Sequence, residues 1–238
     1  MKRTALLAFM LYSLTPALFS SQNFDQRVSE ARRHMRAACQ VIQKISQAPG
    51  DQRLVLKNLS AKESAEAASM WSNLTKDFSK TIPDGYAGDP GWRQRLEDIR
   101  LNITRMRSEI LAEEFRPAFL SCAHACNLIT MMHAANGVQL AIDSMAVLRK
   151  KIKITRGLLA AHQYAKALKS TREVLAARDN VLMSPPPQSE FQEKFLAKIA
   201  DLSRSIDAVA LASGNASDLK TALDQAAEIV EHVYELAL

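Results

Sequence analysis

Residues 25–46, DQRVSEARRHMRAACQVIQKIS, decide the fold. Val28, Ala31, Met35, Ala38, Ile42 and Ile45 recur at steps of three and four, with polar residues between them. That spacing puts the apolar groups along one stripe of an α-helix, and such a stripe must be buried against other helices. The helix ends before Pro49-Gly50.

Working outward, boundary signals divide the chain into eight helices. Ser60-Ala61-Lys62-Glu63 is a capping-box pattern that opens the second helix, so residues 47–59 read as a loop. The second helix ends before Pro83-Asp84-Gly85. Asp89-Pro90 is an N-cap followed by a proline, opening a third helix that runs to about Ala112. Pro117 opens the fourth, and Gly137 sits where a C-terminal cap glycine belongs. A fifth helix covers about Val138 to Ala160, almost unbroken into a sixth from about Tyr164 to Leu182, which Pro185-Pro186-Pro187 stops. Ser189-Glu190-Phe191-Gln192 opens the seventh, Gly214 ends it, and Ser217 caps the eighth.

Composition agrees with helices. Only seven of 238 residues are glycine, alanine is abundant, and β-branched runs are missing. Short connections favour antiparallel neighbours. The expected fold is all-α: two tandem, related up-down four-helix bundles after a signal peptide.

The leader is residues 1–20. Lys2 and Arg3 form a short positive region, and Ala5 to Phe19 an apolar one broken late by Pro16. This is the layout of a secretory signal peptide, and it is short for a membrane span. Leu18 and Ser20 fill the −3 and −1 sites of a cleavage that leaves Ser21 first; Thr15 and Ala17 are the other option. An uncleaved N-terminal anchor is the remaining reading of the pattern. Export to the periplasm or the exterior follows from cleavage.

The two halves, residues 21–137 and 138–238, align as copies. A shift of 100 positions places Ala67 on Ala167, Leu74 on Val174, Leu96 on Leu196, Met106 on Ile206, Cys122 on Ala222 and Cys126 on Ala226. The first and fifth helices match at a shift of 110, with Met35 on Met145 and Ile42 on Ile152.

Three cysteines are the conspicuous chemistry. Cys122 and Cys126 stand one turn apart on one helix, about 5–6 Å between Cβ atoms. A disulfide wants about 3.8 Å, so they should not bridge each other. In an up-down bundle Cys39 lies 14 residues beyond Asp25 and Cys122 lies 14 residues before Asn136. Both then stand about 21 Å above the same end, and Cys39–Cys122 is the natural bridge in an oxidising compartment. Met35 and Cys126 share the layer below. The same four residues, Met35, Cys39, Cys122 and Cys126, are also a soft donor set of the kind that suits copper(I). The plainer reading is packing, since the equivalents in the second half are small or apolar.

An exported four-helix bundle with Met35 on its first helix, Trp92 at a helix start, and an Ala-rich fourth helix carrying Cys122 and Cys126 resembles the periplasmic cytochromes of the c-prime type. The resemblance covers about residues 24–136. It implies haem held through Cys-x-x-Cys-His. Here Cys122-Ala123-His124-Ala125-Cys126-Asn127 has one residue too many between the cysteines, and Asn127 stands where the iron ligand belongs. Covalent haem is therefore not carried over. His133 is the candidate ligand for haem or metal held without that link.

Other chemistry is sparse. The sequence has no Gly-rich phosphate loop and no arguable Ser/His/Asp arrangement. Removing Lys2 and Arg3 leaves 29 basic residues against 25 acidic. The one dense run, Arg149-Lys150-Lys151-Ile152-Lys153, is a solvated helix face or a contact for an anionic lipid surface. Without interleaved aromatics, nucleic acid is not an expected partner. The leading expectation is a non-enzymatic binding or structural protein without a cofactor, its partner an envelope protein or small ligand. The alternative is a copper or haem carrier centred on the first bundle.

Overall fold

The computed structural model describes residues 15–45, 47–187 and 191–237, with side chains from Asn23 onward except at Ser213. Most of the leader, residues 1–14, lies outside the described residues, as do Ser189 and Glu190 of the capping-box pattern. The described residues form eight α-helices and two short 3-10 turns, with no strand among them. They are α1 (Thr15–Ile45), α2 (Gly50–Phe78), α3 (Trp92–Leu111), α4 (Phe115–Ala135), α5 (Ala141–Ala160), α6 (Tyr164–Met183), α7 (Gln192–Leu211) and α8 (Ala216–Ala237).

The chain divides into two compact units, Met1–Val138 and Gln139–Leu238. In the first, α1 packs on α2, α2 on α3, α3 on α4, and α4 returns to α1. In the second, α5 to α8 follow the same order, with α8 returning to α5. Every member of the α1 stripe is buried: Val28, Ala31, Met35, Ala38, Ile42 and Ile45.

α1 begins at Thr15, ten residues before the start expected at Asp25. Pro16 falls in its first turn, where a proline costs no internal hydrogen bond. α2 begins at Gly50, so residues 50–59 are helix rather than loop. Nothing in Asp51 to Leu59 is a helix breaker, and Pro49 sits at the N-cap. Ser60 does not cap. It is buried, and its hydroxyl donates to the Lys57 carbonyl at 2.9 Å, as Ser64 does to Ala61. The small side chains Ser60, Ser64 and Ala67 continue into Trp71, Leu74 and Phe78 as one buried stripe.

Two helix ends use the left-handed backbone without glycine. Glu113 has φ 61°, and the Glu114 amide donates to the Glu109 carbonyl at 2.8 Å. His162 has φ 57°, and the Gln163 amide donates to the Leu158 carbonyl at 2.8 Å. This is the Schellman closure. It ends α5 sharply, so α5 does not run on into α6. Gly137 closes α4 the same way at φ 67°. α5 starts at Ala141 rather than Val138. The last helix is capped by Asn215 rather than Ser217: its side-chain oxygen accepts from the Ser217 amide at 2.8 Å.

Candidate functional site

Cys39 on α1 and Cys122 on α4 face each other at disulfide distance, with Cα atoms 6.4 Å apart. Both are buried, and the Cys122 sulfur also lies 3.4 Å from the Met35 carbonyl oxygen. The pair links α1 to α4 across 83 residues of sequence. Cys126 stands one turn along α4, half-buried. Met35 is fully buried, His124 is exposed, and His133 is fully buried.

This geometry bears on the copper donor set. Sulfurs joined in a Cys39–Cys122 bond are not thiolates and do not bind metal, so that set serves only the reduced protein. Among the described residues no three His, Cys, Asp or Glu side chains gather closely enough to hold a metal ion. His133 does not join the cysteines. It follows Cys122 by eleven residues, about 16 Å along the helix, and its ring faces Tyr86 at 6.3 Å between centroids.

His133 belongs instead to an aromatic cluster at the other end of the unit. Phe24 meets Phe78, Tyr86 and Trp92 at 5.1 Å each, and Tyr86 meets Trp92 at 4.9 Å. Trp92 and Tyr86 each place their polar group on a partner. Trp92 Nε1 donates to the Phe78 carbonyl at 2.7 Å, and the Tyr86 hydroxyl donates to Asp25 at 2.5 Å. Trp71 Nε1 likewise donates to the Leu96 carbonyl at 2.9 Å.

Beside the cluster, Asp89 ties three segments together. One oxygen accepts from the Gly91 amide at 2.8 Å; the other accepts from Arg95 at 2.7 Å and from Asn136 at 3.1 Å. Burial works against its charge, but the hydrogen bonds from Asn136, Gly91 and Arg95 outweigh burial and hold the carboxyl below the ordinary range. A depressed folded-state pKa stabilises the fold above the unfolded value, near 3.8. That stabilisation is lost as pH falls through the lower folded value. Asp89→Ala should cost about 1–3 kcal/mol at neutral pH, and the difference from wild type should shrink on acidification below about pH 4. Urea unfolding at a series of pH values measures both; a pH-independent difference would remove the carboxylate from this account.

Two members of the basic run on α5 are paired with carboxylates. Arg149 pairs with Glu231 of α8 at 2.7 Å, and Lys151 with Glu173 of α6 at 2.6 Å. Lys150 and Lys153 are exposed. A groove of about 630 Å³ between α7 and α8 is lined by Lys198, Asp201, Arg204, Gln225, Glu228 and His232. Its charges answer one another: Lys198 and Arg204 both reach Asp201 and lower its pKa.

No family model matches this chain, and neither a curated protein nor a solved structure matches it. Among the described residues no helix is long and apolar enough to cross a membrane.

Proposed function

We propose that this chain is exported, that residues 1–20 are a leader removed near Ser21, and that the mature protein is a non-enzymatic helical protein with a binding or structural role in the periplasm, the cell envelope or outside the cell. Its partner is an envelope protein or a small ligand. The observation that carries the reading is the buried Cys39–Cys122 pair at disulfide distance across α1 and α4, because such bonds persist in oxidising compartments. The charged-then-apolar pattern of residues 2–19 supports it independently.

The two units are read as related copies of an up-down four-helix bundle. Burial supports the reading at a slightly different register. At a shift of 100 the buried Leu96 falls on Leu196, which is 48% exposed. At a shift of 103, Trp92, Ile99, Ile103 and Met106 fall on Phe195, Leu202, Ile206 and Val209, all buried. For α4 and α8 a shift of 101 places Ala118, Cys122, Ala125, Ile129 and Met132 on Leu219, Leu223, Ala226, Val230 and Val233, again all buried.

N-terminal sequencing of the exported protein should read from near Ser21; a start at Met1 would overturn removal of the leader. A copper or haem carrier is the second reading, favoured by the burial of Met35 beside the cysteine pair. The same preparation should contain neither copper nor haem absorbance, and finding either would transfer the protein to the carrier reading.

A further inference from the structure

The charge of this protein is gathered in one helical hairpin. Residues 141–183, which hold α5 and α6, carry nine basic and three acidic side chains, a net +6. The whole chain carries 31 basic and 25 acidic, also +6, so everything outside the hairpin sums to zero. Residues 192–237, holding α7 and α8, carry four basic and eight acidic.

Three of the hairpin's four arginines are paired with the neighbouring acidic helices. Its arginines Arg149, Arg156 and Arg178 reach Glu231, Asp224 and Asp207 on the acidic helices. Planar guanidinium groups suit such fixed pairs. Lys150, Lys153, Lys166, Lys169 and Arg172 are exposed instead. α5 packs on α6 and α8, and α6 on α5 and α7. Helical spacing then puts Lys150 and Lys153 on the outer side of α5, and Lys169 and Arg172 on the outer side of α6. Two acidic side chains share that outer side, and both are paired: Glu173 with Lys151, and Asp179, two turns beyond Arg172, with Arg178. Val147 and Ile154 stand two turns apart on the same outer side of α5, 41% and 44% exposed.

We propose that the outer face of the α5–α6 hairpin docks on an anionic lipid surface. Exposed lysines give diffuse attraction to a charged surface, and two aliphatic side chains among them can enter the headgroup layer. No aromatic side chain lies among these cations to stack on bases, which argues against single-stranded nucleic acid. The inference deepens the binding-protein reading. It is tested separately from export, so either can fail alone.

The test is sedimentation of the full exported chain with vesicles. It should bind equimolar phosphatidylglycerol and phosphatidylcholine, not phosphatidylcholine alone, and release as salt rises. Each cation near an anionic surface is worth about fivefold in affinity. K150Q/K153Q/K169Q should therefore weaken binding on the order of 100-fold. K62Q/K76Q/K80Q changes the net charge equally at exposed sites on α2 and just beyond it, and should change binding less than about threefold. V147S/I154S should weaken vesicle binding while leaving retention on a heparin column unchanged. Far-UV circular dichroism confirms that each variant is folded. Equal losses from the two lysine triples, or heparin binding without vesicle binding, would overturn the proposal.

Discussion

Removing the link between Cys39 and Cys122 is expected to destabilise the first unit by about 4–5 kcal/mol. The bond would close a loop of 83 residues, and that is the chain-entropy value for such a loop, less any strain. C39A/C122A, or wild type in reductant, should unfold at lower temperature. The transition of the second unit, which contains no cysteine, should not move. Peptide mapping without reductant should recover Cys39 joined to Cys122. Alkylation of all three cysteines in unreduced protein would refute the bridge.

Trp92→Ala is the second large effect, about 3–5 kcal/mol. Trp92 is 1% exposed, packs on Phe24 and Tyr86, and gives its indole N–H to the Phe78 carbonyl. Truncation opens a cavity and leaves that carbonyl without its donor. Trp92→Phe keeps most of the ring and should cost less, about 1–3 kcal/mol for the lost bond. Denaturant unfolding followed by near-UV circular dichroism distinguishes the two. A cost below about 1 kcal/mol for the alanine variant would show that the cluster is not a keystone of the unit.

The helical class is legible in residues 25–46 because the stripe is local: six apolar positions at steps of three and four, all buried. The pairing geometry of Cys39 and Cys122 follows from the rise per residue once the first and fourth helices are taken as antiparallel neighbours. Other features escape for identifiable reasons. Ser60 matches a capping box in letters, but in the middle of α2 its hydroxyl serves its own helix. In the duplication proposed above, a shift of 100 and one of 103 are hard to tell apart in letters, because moving by nearly one turn preserves much of an apolar stripe. The aromatic cluster draws Phe24, Phe78, Tyr86 and Trp92 from separate segments, and no spacing in the sequence relates them. The basic run reads as one patch, yet neighbours on a helix diverge by about 100°, sending Arg149 and Lys151 to different helices. The cationic face is assembled with Lys169 and Arg172, about twenty residues away in sequence.

The closed order of helices in the first unit also sets a timetable for the growing chain. When α1 has been synthesised, its stripe has only α2 to meet. Phe24 must wait for Phe78, Tyr86 and Trp92, and Cys39 must wait for Cys122. Contacts between distant positions form late because the intervening loop must first be closed. Until α4 emerges, the first unit cannot complete its core. On the proposed export route this delay would keep the chain open for passage: the last seam closes, and Cys39 meets Cys122, only after some 120 residues have been synthesised.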